Sequence, residues 1–71
     1  MTTKKNRDAL LYYINQDDEK KYKYEIIYSS ASLGIIGTSA DIPLLEKHAN
    51  SRIPDICESA RFAIDRIKHG E

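Results

Sequence analysis

Apolar positions along the chain change their spacing twice, and each change marks a new kind of element. In residues 4–17, Leu10, Tyr13, Ile14 and Asp17 recur at intervals of three and four with Leu11 on the flank. That spacing predicts a helix with one apolar stripe. Thr3 is placed to cap it, "NQDDEKK" ends the pattern, and Tyr12 points away from the stripe toward solvent.

From Lys21 the interval drops to two. Tyr22, Tyr24, Ile26 and Tyr28 alternate with Lys21, Lys23, Glu25 and Ile27, which predicts a strand over 21–28 with a tyrosine face. "LGIIGT" reads as a second strand over 33–38, and the four residues "SSAS" between them suit a hairpin turn. Pairing Tyr28 with Leu33 also sets Ile26 opposite Ile35 and Tyr24 opposite Gly37, a register that buries the larger set of side chains.

Past the hairpin the period returns to that of a helix. Asp41 is a candidate N-cap for a helix over 42–50 with Pro43 in its first turn. Pro54 then opens a helix over 54–69, with Gly70 as a left-handed terminator. The alternative is one long helix kinked at Pro54. Ile53, Ile56, Ala60, Ala63, Ile64 and Ile67 form the clearest stripe in the chain, with Cys57 at its edge, and Phe62 falls almost opposite it.

The expected fold is therefore α+β, one small domain over residues 1–71 in the order helix, strand, strand, helix, helix, with an antiparallel hairpin packed against the helices. No internal repeat, low-complexity tract or linker is visible. The reverse face of the hairpin carries Ile27 and Ile36 around Gly34, and a two-stranded hairpin leaves both edges unpaired. These three residues are the expected dimer or sheet-face contacts, a second copy completing a four-stranded sheet.

Composition narrows the function classes. The 71 residues include 11 basic and 11 acidic side chains, so no overall field steers the chain to nucleic acid or an anionic membrane. Cys57 is the lone cysteine, and His48 and His69 are distant from it in sequence, so neither a disulfide nor a metal site is expected, and no cofactor. No apolar run reaches the ~20 residues of a membrane span, and the basic start lacks an apolar signal region; the expected compartment is the cytoplasm.

Candidate chemistry is sparse. Ser39, His48 and Asp55 form a triad only on paper, without a nucleophile elbow. "GIIGTSAD" lacks the glycine spacing of a phosphate-binding loop. His48 reads as a helix-surface residue and Cys57 as a small buried hydrophobe, so no enzyme activity is expected. The sequence thus points to a non-catalytic protein-interaction module, a homodimer that regulates or inhibits a larger protein. Phe62, Arg66 and Tyr12 are its expected partner contacts, since aromatics and arginine anchor interfaces. The alternative is a nucleic-acid-binding regulator that uses Lys20, Lys21 and Lys23 with Lys4, Lys5 and Arg7.

Overall fold

The computed structural model describes residues 3–70, and side chains from Arg7 onward. Every regular element among them is helical: α1 (Thr3–Ile14), α2 (Lys23–Ile36), a 3-10 turn (Ser39–Asp41), α3 (Ile42–Ala49) and α4 (Pro54–Gly70). The α+β expectation is overturned. The two strands expected over 21–28 and 33–38 are replaced by the single helix α2, and "SSAS" is its middle rather than a turn. With no sheet, Ile27, Ile36 and Gly34 form no sheet face, and the edge-pairing reason for a dimer disappears.

The physical reason lies in the size of the inward residues. In a helix, residues two apart are rotated by about 200°, so the alternation Tyr24, Ile26, Tyr28 sends only its middle member inward. Ile26 is fully buried, whereas Tyr24 is 77% and Tyr28 68% exposed. The buried stripe of α2 is Ile26, Ser29, Ser30, Leu33 and Gly34, a helical i, i+3, i+4 pattern written mostly in small residues. Small side chains let α4 come close: a Cβ built on Gly34 would lie 2.9 Å from the Cα of Ala63. Ser59 of α4 donates its hydroxyl to the Ile27 carbonyl at 3.1 Å across the same contact.

The chain is a stack of two helical hairpins, α1–α2 and α3–α4. Arg7 meets Asp41 and Ile14 meets His48, both at a separation of 34 residues; Ile27 meets Ser59 at a separation of 32. The first two pairs rise together, so α1 and α3 run in the same sense in one layer, and Lys23–Asp55 with Ile27–Ser59 shows the same for α2 and α4 in the other. α2 packs on α4, α1 on α2 and α3 on α4, so the α2–α4 contact joins the two hairpins. Both α2 and α4 bury residues at i, i+4 and i+7, Ile26, Ser30 and Leu33 on one and Ile56, Ala60 and Ala63 on the other.

One apolar cluster fills the space between layers: Leu10, Ile14, Ile26, Leu33, Leu45, Ile56, Ala63 and Ile67, flanked by half-buried Leu11, Tyr22, Ile27, Ile53 and Ile64. The Ile/Ala stripe of α4 thus packs inward, but against Ile26 and Leu33 rather than against tyrosines. Several end positions differ from expectation. α1 stops at Ile14, leaving Asp17 outside it. No described glycine has a positive φ, so Gly70 is not a left-handed terminator. Asp41 makes no side-chain cap for α3; its Oδ2 accepts instead from the Thr38 amide at 3.0 Å. α3 and α4 are separate helices, broken between Asn50 and Ile53 ahead of Pro54. The expected cap at Thr3 lies outside the described side chains.

Two substitutions test the close α2–α4 contact. The hydroxyls of Ser29 and Ser30 are buried without a hydrogen-bond partner. Ser30→Ala should therefore raise stability by up to about 1 kcal/mol, through a better helix former and one fewer desolvated hydroxyl. Gly34→Ala should lower it by about 1–3 kcal/mol despite alanine's higher helix propensity, because the new methyl meets backbone. Urea unfolding followed by circular dichroism measures both, and a stabilised Gly34→Ala would show that the helices lie farther apart.

Candidate functional site

Polar side chains hold the α1–α3 layer together at two points. At one end Arg7 grips Asp41 through both carboxylate oxygens, at 2.7 and 2.8 Å, with Asp41 nearly buried. At the other sits His48, which is fully buried and not on the helix surface as its sequence context suggests. Its Nε2 donates to the carbonyl of Ile14 at 2.6 Å, and its Nδ1 lies 2.7 Å from Glu19 Oε2. A carbonyl only accepts, so Nε2 carries the hydrogen of that contact, and Nδ1 faces the carboxylate. Ser51 donates to the other Glu19 oxygen at 2.8 Å.

This cluster completes the C-terminus of α1, whose last carbonyls have no partner within the helix. Asn15 and Gln16 side chains donate to the Leu11 and Tyr12 carbonyls, His48 to Ile14, and Lys47 to Asn15. Two residues of α3 therefore cap α1. Both ring nitrogens of His48 are engaged in this structural work, and Asp55 pairs with Lys23 at 3.4 Å, so the paper triad of Ser39, His48 and Asp55 is not assembled. Cys57 is half-buried, its thiol donating to the Ala49 carbonyl at 3.2 Å.

A shallow cleft of about 420 Å³ opens beside this cluster, lined by Asp17, Asp18, Glu19, Lys20, Lys47 and Arg52 among others. Acidic and basic side chains are equal in number there. Lys47 pairs with Asp17 and, by hydrogen bonding first and Coulomb attraction second, holds that carboxyl below its ordinary value. The pair is exposed, so its stabilisation is weak and salt-sensitive. It is present above the usual aspartate pKa and is lost as pH falls through the lowered one. Among the described residues no group of three or more His, Cys, Asp or Glu side chains is placed to hold a metal ion.

The basic residues singled out in the sequence are dispersed. Arg7 is taken by Asp41 and Lys23 by Asp55, while Lys20 lines the cleft beside Asp17, Asp18 and Glu19. Lys21 lies 5.3 Å from the Tyr22 ring centroid, and Lys4 and Lys5 fall outside the described side chains. Gly37 ends α2 with extended backbone. A Cβ there would lie 2.3 Å from the Leu33 carbonyl oxygen and 3.0 Å from Asp41 Oδ2, so the GIIGTSAD bend is closed by a carboxylate rather than open to an anion.

What remains is the outer surface of the α2–α4 layer. On α2, Tyr24, Tyr28, Ala31 and Ile35 follow at intervals of four, three and four, and all are exposed; Ile35 is 71% exposed. On α4, Asp55, Ser59, Phe62 and Arg66 follow the same intervals, and these residues share one side of the helix. The Lys23–Asp55 pair and the Ser59–Ile27 bond turn that side toward α2. Phe62 is 61% exposed, with the Arg66 guanidinium 5.7 Å from its ring centroid. The structure thus brings Phe62 and Arg66 together with Tyr24, Tyr28 and Ile35. Tyr12, also exposed, stands on α1 in the other layer with its ring against Tyr13. Sequence reasoning missed Tyr24, Tyr28 and Ile35 as surface residues; their 4-3-4 spacing was the available signal.

No helix among the described residues is long and apolar enough to cross a membrane. No protein family, curated protein or solved structure matches the chain.

Replacing the buried imidazole tests the α1–α3 seam. His48→Ala should destabilise the fold by about 2–4 kcal/mol, since it leaves the Ile14 carbonyl and a part-buried Glu19 without their partner. Glu19→Gln keeps hydrogen-bonding atoms in place and should cost less. Chemical denaturation of the two variants checks the order, and equal stability of His48→Ala and wild type would place the ring outside the core.

Proposed function

We propose that this protein is a non-catalytic interaction module that docks another protein chain through the outer face of the α2–α4 layer. The observation that supports this reading is the exposure of Tyr24, Tyr28, Ile35 and Phe62 on one surface. Apolar patches above a few hundred Å² on a folded chain mark interaction sites. Aromatic rings carry much of the energy when such a face is covered, and arginine is the other enriched anchor; Arg66 lies over Phe62 and Lys23 lies 5.6 Å from the Tyr24 ring centroid.

The test compares wild type with Phe62→Ala and Tyr28→Asp as bait in lysate capture, with unfolding curves on each. Both side chains are largely exposed, so stability should change by about 0.5 kcal/mol or less while captured protein falls at least tenfold. Capture that is indifferent to both substitutions rejects the surface. Retention of DNA or RNA at low salt, lost steeply as salt rises, would favour the nucleic-acid alternative instead.

A further inference from the structure

We infer that the chain covering this face is a second copy of the protein, its α2 lying antiparallel to the first α2 about a two-fold axis between Tyr28 and Ala31. The inference rests on the docking reading above and names the partner of that same surface. Of the six large hydrophobic residues exposed among the described residues, five (Tyr12, Tyr24, Tyr28, Ile35 and Ile36) belong to α1–α2 and only Phe62 to α3–α4. The unpartnered apolar surface is concentrated on one hairpin, and α2 carries most of it.

The 4-3-4 spacing of Tyr24, Tyr28, Ala31 and Ile35 is the spacing of a coiled-coil seam. Antiparallel pairing sets Tyr28 against the second copy's Ala31 and Tyr24 against its Ile35, so each large ring meets a smaller residue. Parallel pairing sets ring on ring at Tyr24 and Tyr28, and leaves a gap at Ala31.

Charge favours the same sense. Lys23 and Glu25 are the only charged residues of α2, and both stand in its first turn. A parallel pair would place each beside its own copy, whereas an antiparallel pair lays them over the uncharged Ile35–Ile36 end. Because α4 runs alongside α2 in the same sense, the two-fold also carries Arg66 of one copy toward the Glu25 end of the other. The chain's 11 basic and 11 acidic residues leave no net charge to oppose association.

Area is sufficient. Three rings and one isoleucine, each more than half exposed, offer roughly 500 Å² of surface per chain. Burying both faces removes about 1,000 Å² from water, the lower bound for a specific interface. A reversible dimer is the expected product.

The experiment is sedimentation equilibrium of the full chain between roughly 1 µM and 1 mM, with Ala31→Tyr as the diagnostic variant. Wild type should pass from monomer to dimer mass. Ala31→Tyr fills the notch that receives Tyr28 and should raise the dissociation constant at least tenfold, although it adds apolar surface; nonspecific stickiness would instead increase. In a Cys57→Ser background, oxidation of mixed Tyr24→Cys and Ile35→Cys chains should yield the mixed cross-link far above self-cross-linked Tyr24→Cys. Monomer mass throughout, tighter association of Ala31→Tyr, or dominant Tyr24→Cys self-cross-linking would each overturn the proposal. If wild type is monomeric while lysate capture still depends on Tyr28 and Phe62, the second copy fails and the docking surface survives; if capture is also indifferent, both fail.

Discussion

A fully buried imidazole fixes how the two hairpins sit on one another. His48 donates to the last carbonyl of α1 and sets its other ring nitrogen against Glu19 in the loop that follows, so the second hairpin supplies a cap that the first lacks. The bond is directional, and buried polar groups tolerate little misplacement without losing their partners. Sliding α3 along α1 by one turn would orphan the Ile14 carbonyl and Glu19 together. With Arg7 on Asp41 at the opposite end, the seam has two fixed points, which is enough to set both translation and rotation.

That register has a consequence in the other layer. Once α3 is seated, α4 is delivered against α2 at a distance where only small residues fit, and Gly34 faces Ala63 there. Apolar burial supplies the driving force through Ile26, Leu33, Ile56 and Ile67. The polar seam selects which of the sliding alternatives that burial can use. Specificity and stability in this small fold come from different residues.

The same division explains which elements could be read from the sequence. α3 and α4 were legible because proline marks both starts and because large apolar residues recur at helical spacing along α4; the outward position of Phe62 followed from that stripe. α2 was not, since three of its five inward positions are serines and a glycine, which read as turn residues, while its tyrosines alternate with lysines as strand residues do. His48 was readable in part: it stands three residues after Leu45 and so shares the buried side of α3. Its partner Glu19 was not, because nothing local ties a loop carboxylate to a histidine 29 residues away.

The outward side of α2 is what most favours the proposed docking, because Ile26 and Leu33 already supply its inward apolar contacts. An ordinary surface helix points its large apolar residues inward and its small or polar ones outward. Here Ser29, Ser30 and Gly34 are inside, and Tyr24, Tyr28 and Ile35 are outside. The inner set is explained by the closeness of α4. The outer set contributes nothing to that contact, and leaves a seam-spaced apolar row in water, at a free-energy cost of about 25 cal/mol for each Å² that a partner would cover. Small residues on one side of α2 admit a neighbour within the fold, while its other side leaves the rings exposed.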